Sequence, residues 1–341
     1  MAVSDIKPNK TFVNAQRVAE LAGVSRSAVS RTFTAGASVS ETTRKKVIQA
    51  AETLGYHVNH LARGLIHERS DIVCLISADL NTPFQARMLE TMTRRLQEIN
   101  KVAMVVNTSG ESDSVAGALH KSLNYRADAT VVFSGAPSAS LIHTCINNGQ
   151  NVILINRDDH LSGSANIVVD SAGPAREAFH MLRRAGCQRI AVVSSQVGTP
   201  SIVNRAKNFQ IAAAEAGVDI TILQYGPTAY TSGSEAARLL LSRSDAPDGA
   251  FCVTDLLAFG FMDVARHEFG LSIPEDFCVV GFDDIEQAGW ASYDLTTFRQ
   301  PIDQIADHIV QHLDETPTLL EDGEPVRFQP LPVWRKSVRP K

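Results

Sequence analysis

The spacing of apolar residues changes character part-way along the chain. Residues 14–56 carry short helical periods. The spacing predicts helices over Ala15–Leu21, Arg26–Phe33 and Glu41–Leu54, with Asn14, Ser25 and Ser40 as N-caps and Gly55 as the last stop. Between Asn59 and Leu65 the helical period is weak, and Gly64 costs a helix about 1 kcal/mol relative to alanine. This stretch reads as a linker with conditional helicity, and residues 1–13 read as a flexible arm. From Asp71 onward short apolar runs alternate with helical stretches. Strands are expected at Ile72–Ile76, Val102–Val106, Ala129–Phe133, Val152–Ile155, Ile167–Val169, Ile190–Val193, Thr221–Gln224, Ala250–Val253, Cys278–Gly281 and Thr297–Arg299. Helices fall between most of them. The alternation implies an α/β body of parallel sheets with right-handed crossovers. About ten strands divide more comfortably into two sheets of roughly five than into one, giving two similar lobes. A ligand would then bind at the carboxyl ends of the strands, in the cleft between the lobes.

Domain boundaries follow. Residues 14–57 are expected to form an all-α helix-turn-helix unit, 58–70 a linker, and 71–341 a two-lobe ligand-binding body. Lobe one is expected over about 71–168 plus 301–328, and lobe two over about 169–300 plus 329–341. A body of this length supports a large core without metals or disulfides.

Charge sharpens the division. Residues 1–69 hold ten basic and five acidic side chains, a formal +5, which leaves −10 for the rest of a chain whose net charge is −5. A basic head on an acidic body suits contact with phosphate at one end only. The five cysteines show no paired or metal-ligand spacing and read as reduced, buried thiols. No metal or cofactor is expected. Residues 1–13 have no apolar signal-peptide core and no run of 18 apolar residues exists, so a cytoplasmic protein without a membrane partner is expected.

The strongest motif is Val18-Ala-Glu-Leu-Ala-Gly-Val-Ser-Arg-Ser-Ala-Val-Ser-Arg31. Ala19 is small where two helices cross, Gly23 suits the positive φ of a tight turn, and Val29 returns an apolar side chain to the core. Arg26, Ser27, Ala28, Ser30 and Arg31 then lie along the second helix, where a recognition helix meets bases and phosphates. Arg26 suits bidentate contact to guanine, and the serines suit bases or phosphate oxygens. Thr43 lies in the stretch Ser40–Lys46, whose hydroxyls, basic cluster and helix start suit phosphate anchoring.

These residues resemble the lactose-repressor (LacI/GalR) family of bacterial regulators. The resemblance runs from about Asn14 to about Arg335 and rests on VAELAGVSRSAVSR, VSETTRKKVIQAAETLGY, NHLARGL, FCVTDLLAFG, IPEDFCVVGFDD and LTTFRQP. It implies a repressor that binds pseudo-palindromic double-stranded operator DNA as a homodimer. It also implies a hinge helix that places Leu65 as a minor-groove wedge, with Asn59 and Ala62 on the same stretch. The family pattern has proline where this chain has Val58, which makes the hinge entry less rigid. No heptad segment follows Trp334, so a dimer rather than a tetramer is expected.

For the body the resemblance implies a periplasmic-binding-protein-like fold that takes a sugar or sugar derivative as effector. By position, the ligand-binding candidates are Phe84, Asn156, Asp158, Arg205, Tyr230, Asp255, Asp283 and Trp290. Carboxylates and arginine suit hydroxyl recognition, and aromatic faces suit the apolar faces of sugar rings. Two other classes fit the sequence less well. A periplasmic transport protein would need a signal peptide and no head. An α/β enzyme finds no support, since G-x-G-x-x-G after the first strand, a P-loop, a G-x-S-x-G elbow and H-E-x-x-H are all missing from the sequence. The expected place of action is the bacterial cytoplasm, in association with the nucleoid.

Overall fold

The computed structural model describes residues 12–34, 36–58, 69–108, 112–135, 137–157, 162–314 and 325–340. The chain divides into two compact units, Met1–Ser70 and Asp71–Lys341. The hinge residues Asn59, Ala62 and Leu65 and the candidate Asp158 lie outside the described residues.

In the first unit, helices α1 (Ala15–Ala22), α2 (Arg26–Thr32) and α3 (Glu41–Leu54) each begin at the expected cap. Asn14 Oδ1 accepts from Arg17 N at 3.1 Å, Ser25 Oγ from Ala28 N at 3.2 Å, and Ser40 Oγ from Thr43 N at 3.2 Å. Each bond satisfies one of the N–H groups that a helix start leaves unpaired. Gly23 adopts φ +63°, so the chain leaves α1 in a left-handed turn and Val24 N reaches back to Ala19 O at 3.0 Å. Val18, Ala19, Val29, Val47, Ala50 and Ala51 close a small core, with Phe33 and Tyr56 packed at its edge.

The second unit contains two parallel sheets. In the first are β1 (Ile72–Ala78), β2 (Val102–Thr108), β3 (Ala129–Val132), β4 (Asn151–Ile155), β5 (Ala165–Val169) and β11 (Val326–Phe328), in the spatial order β11-β5-β4-β3-β1-β2. Helices α4 (Pro83–Glu98), α5 (Ser112–Asn124), α6 (Ala139–Asn147) and α11 (Ile302–Asp314) accompany it. Alternate residues of one strand enter opposite cores. Val73 and Leu75 pack with Met88, Met92, Leu96, Ile305 and Ile309, whereas Cys74 and Ile76 pack with Val115, Leu119, Ile142 and Leu154. Both faces are covered, which is why these strands read as continuous apolar runs.

The second sheet has the order β7-β6-β8-β9. Its strands are β6 (Ile190–Ser194), β7 (Ile220–Gln224), β8 (Gly249–Cys252) and β9 (Cys278–Val280). Around it lie α7 (Ala172–Arg184), α8 (Pro200–Glu215), α9 (Tyr230–Leu241) and α10 (Asp255–His267). Helices α9 and α10 approach unusually closely because two glycines face the contact. A Cβ on Gly233 would lie 2.0 Å from Leu257 O, and one on Gly260 would lie 1.9 Å from Tyr230 O.

Two expectations change. The sheets hold six and four strands rather than about five each, and a separate antiparallel pair joins β10 (Thr297–Arg299) to β12 (Leu331–Val333). β11 and β12 carried no sequence signal because each is only three residues long and largely exposed. The chain passes between the sheets after Val169, between Arg299 and Ile302, and between Phe328 and Leu331.

Candidate functional site

The head offers an exposed face on α2. Arg26, Ser27, Ser30 and Arg31 are exposed and Ala28 is half-buried, while Val29 points into the core. Arg31 Nε rests 3.4 Å from Ser27 O on its own helix. The Ser40–Lys46 stretch splits in role. Arg44 donates from Nη1 to Thr32 O at 3.0 Å and so closes the carboxyl end of α2. Thr43 is half-buried and accepts from the Ser40 hydroxyl at 2.8 Å. Lys45 and Lys46 remain exposed.

The body encloses a cavity of about 740 Å³. The six-stranded sheet contributes Ala78, Phe133, Ile155, Asn156 and Val169 to its walls, and the four-stranded sheet contributes Gln196, Thr254 and Asp283. All stand at or just beyond the carboxyl ends of strands, where an open α/β sheet leaves its crevice. Three helix starts also converge there. Thr82, Thr199 and Thr254 are the N-caps of α4, α8 and α10, all three line the cavity, and none spends its hydroxyl on capping its own helix. Their helix N-termini direct N–H groups and positive dipole ends toward whatever oxygen atoms enter.

Arg205 and Asp283 form the electrostatic centre. Arg205 Nη1 donates to Asp283 Oδ1 at 3.1 Å and to Val253 O at 2.8 Å, and its guanidinium carbon lies 3.6 Å from the Phe282 ring centroid. Gln300 Nε2 donates to the same Asp283 oxygen at 2.6 Å. Burial lowers the Arg205 pKa and Asp283 opposes that shift; burial raises the Asp283 pKa and Arg205 opposes it. Arg205 Nε and Thr254 Oγ1 are buried without a hydrogen-bond partner among the described residues. Such groups cost free energy unless a ligand or water meets them.

Phe84 lines the cavity and packs against the cores of both lobes. Asn156 also lines it, but its Oδ1 accepts from Val169 N at 2.8 Å and ties β4 to β5. Asp79, Asn156, Asp283 and Asp284 all have positive φ, at 53°, 56°, 134° and 53°. Non-glycine residues held this way turn the backbone sharply at strand ends, a form of strain that gathers at functional sites.

Three expected ligand residues stand elsewhere. Asp255 is fully buried below the cavity: Thr297 Oγ1 donates to its Oδ1 at 2.6 Å and Ile285 N to its Oδ2 at 3.0 Å. It fixes the Asp283–Ile285 loop, and burial together with nearby Asp283 raises its pKa to about 7. Tyr230 is 41% exposed and donates to Asp263 Oδ2 at 2.6 Å, sharing that carboxylate with Tyr293. Trp290 follows a short 3₁₀ turn, Glu286–Gly289, and is half-exposed away from the cavity. Each lies within a few residues of a true lining residue, and sequence position does not set side-chain direction. Gln85, Gln196, Thr228, Thr254 and Gln300 were missed; the rule that carboxyl strand ends carry the site would have found Thr254 and Gln300.

Residues 16–59 match the description "Bacterial regulatory proteins, lacI family", and residues 179–338 match "Periplasmic binding protein-like domain". The chain is 30% identical over 327 residues to the HTH-type transcriptional regulator CelR of Thermobifida fusca, covering 92% of this chain and 94% of that one. The chain belongs to the lacI family of bacterial regulatory proteins. This lacI-family chain is also 27% identical over 303 residues to the regulator AscG of Escherichia coli (strain K12), covering 87% and 89% of the two chains. Its fold matches a crystal structure of the Lac repressor bound to ONPG in the repressed state, with a TM-score of 0.86, 21% identity and coverage of 96% and 100%. A CelR–cellobiose complex matches with a TM-score of 0.67, 26% identity and coverage of 95% and 99%. The protein is thus a DNA-binding transcriptional regulator, and its curated relatives are named as regulators rather than enzymes. Among the described residues no helix is long and apolar enough to cross a membrane.

Proposed function

We propose that this protein is a homodimeric, cytoplasmic transcriptional repressor whose operator affinity is set by a neutral sugar or sugar derivative held in the cavity. The observation that carries the reading is the pair of unpartnered buried donors, Arg205 Nε and Thr254 Oγ1, at a cavity rimmed by three threonine N-caps whose hydroxyls do not cap their own helices. A polyhydroxylated ligand supplies many acceptors and donors at close spacing, and Phe84 and Phe133 offer aromatic faces to its C–H surfaces. The sugar complexes of related proteins support this choice, among them a lacI-family regulator with bound ribose and CelR with cellobiose.

At the DNA, Arg26, Ser27, Ala28, Ser30 and Arg31 meet bases and phosphates in the major groove, and Thr43 anchors the backbone. Asn59, Ala62 and Leu65 belong to a hinge that enters the minor groove, with Leu65 as the wedge. Residues 14–57, 58–70 and 71–341 are the head, hinge and sensing body. A Lac repressor dimer bound to operator, a fold match with a TM-score of 0.84, supports the same assembly here. Ligand acts by binding one lobe arrangement better than the other, and the shift in operator affinity equals that differential affinity. The test is operator binding by fluorescence anisotropy with and without a panel of neutral sugars. One sugar should change affinity several-fold, and Gln196→Ala should weaken that response while leaving ligand-free DNA binding intact. A complete panel without effect, on protein shown to bind its operator, overturns the reading.

A further inference from the structure

At the amino ends of the second sheet, opposite the effector cavity, two thiols meet. Cys187 precedes β6 and its side chain crosses β8 at Gly249, where a Cβ would lie 2.7 Å from Cys187 Sγ. Gly249 pairs in register with Cys278, the first residue of β9, and neighbouring strands run roughly 4.8 Å apart. The missing side chain at Gly249 therefore leaves room for the two thiols to lie side by side; the Cys187 thiol donates to Asp248 O at 3.5 Å and the Cys278 thiol to Pro274 O at 3.7 Å. Arg339 reaches both sulfurs: its Nη2 donates to Cys187 Sγ at 3.3 Å and its backbone N to Cys278 Sγ at 3.5 Å. The same side chain clasps Ala185 O, Pro274 O and Glu275 O at 2.9, 2.9 and 2.8 Å. A surface cavity of about 700 Å³, lined by Met181, Ala185, Pro274, Val338 and Arg339, opens beside this clasp.

We propose that Cys187 and Cys278 form a peroxide-oxidisable dithiol, a modification site in the sensing body that is separate from the effector cavity. Cys278 is the attacking thiolate and Cys187 the resolving thiol. Cys278 sulfur attacks one peroxide oxygen; the S–O bond forms, the O–O bond breaks, and hydroxide leaves. Sulfur is oxidised by two electrons and peroxide is reduced. Cys187 then gives up its proton and attacks the sulfenic sulfur; the S–S bond forms and the S–O bond breaks, releasing a second water in the net reaction.

The charge around the pair supports these roles. The neighbouring Cys187 thiol, the Arg339 N–H and the Arg339 charge hold the Cys278 pKa down at about 7 against its burial, with Asp248 opposing. Burial instead raises Cys145 to about 11 and Cys74 to about 12, so those thiols stay protonated. The neighbouring Cys278 and burial together raise the Cys187 pKa.

The test treats the full-length protein with a few equivalents of hydrogen peroxide, then counts thiols after denaturation and maps peptides without reduction. The count should fall by two, with one peptide joining Cys187 to Cys278 within a single chain. Cys187→Ser should stop at a dimedone-trappable sulfenate on Cys278, and Cys278→Ser should give neither product. Thiolate absorbance in the unmodified protein should show a midpoint near 7 that disappears in Cys278→Ser. Arg339→Gln should raise that midpoint and slow oxidation at least several-fold, and Arg339→Lys should restore part of both. An unchanged thiol count, oxidation confined to the other cysteines, or crosslinks only between chains would overturn the proposal.

Discussion

Arg205 and Asp283 are a buried ion pair, 3.1 Å apart, drawn from one helix and one loop that sequence separates by 78 residues. The pair joins the start of the α8 helix to the loop after β9 and forms part of the cavity wall. Breaking it from one side strands a charge. Arg205→Met should therefore destabilise the protein by about 3–5 kcal/mol in urea unfolding. Adding Asp283→Leu should recover most of that loss, because an apolar pair of similar volume removes the unpaired carboxylate. Both variants should lose the effector response. Recovery of stability without recovery of response separates the structural from the recognition role.

Asp255 sets a pH dependence. Its pKa rises from 3.8 to about 7 on folding, chiefly through burial. The folded state therefore binds more protons than the unfolded state between about pH 4 and 7, so unfolding free energy falls as pH rises through that window. The slope contributed by this group approaches 1.4 kcal/mol per pH unit at most. Urea titrations from pH 4.5 to 7.5 should show that decline, and Asp255→Asn should flatten it. The substitution is mild at low pH because the Thr297 hydroxyl can reverse from donor to acceptor.

The helix contact at Gly260 tolerates no side chain. A methyl there would lie 1.9 Å from Tyr230 O, which is backbone and has no rotamer to change. Gly260→Ala should force α9 and α10 apart and lower stability by at least about 1–3 kcal/mol, read as a drop in thermal midpoint. Gly117→Ala, where the space is open, is the control and should be near neutral or slightly stabilising.

In the head, Ser25→Ala removes the bond to Ala28 N and should cost about 1 kcal/mol of stability. Arg26→Ala should instead leave stability unchanged and cost about 1–3 kcal/mol of operator affinity at one base position. Equal weakening on every sequence would make Arg26 a phosphate contact.

Much of this architecture was legible before any coordinates. Asn14, Ser25 and Ser40 declared three helix starts because short polar side chains satisfy backbone N–H groups locally. Fully buried parallel strands such as Ile72–Ala78 declared themselves as apolar runs. The failures share a physical origin. β11 and β12 are short and exposed, so they are held by partners distant in sequence rather than by their own composition. Phe84, Arg205 and Asp283 reach the cavity as expected, while Tyr230, Asp255 and Trp290 do not. Sequence order placed all six in the segments that follow strands, Arg205 at the opening of a helix. Whether a side chain turns inward depends on packing, as when Asp255 is drawn under the loop by Thr297 and Ile285.

Control of the head by the cavity is tested by operator affinity measured across a titration of one cavity-binding sugar, with binding to the body followed in parallel by calorimetry. Affinity for operator should change over the same concentration range in which the sugar occupies the cavity, and Gln196→Ala should shift both curves together. A sugar that saturates the body while operator affinity stays constant would contradict it.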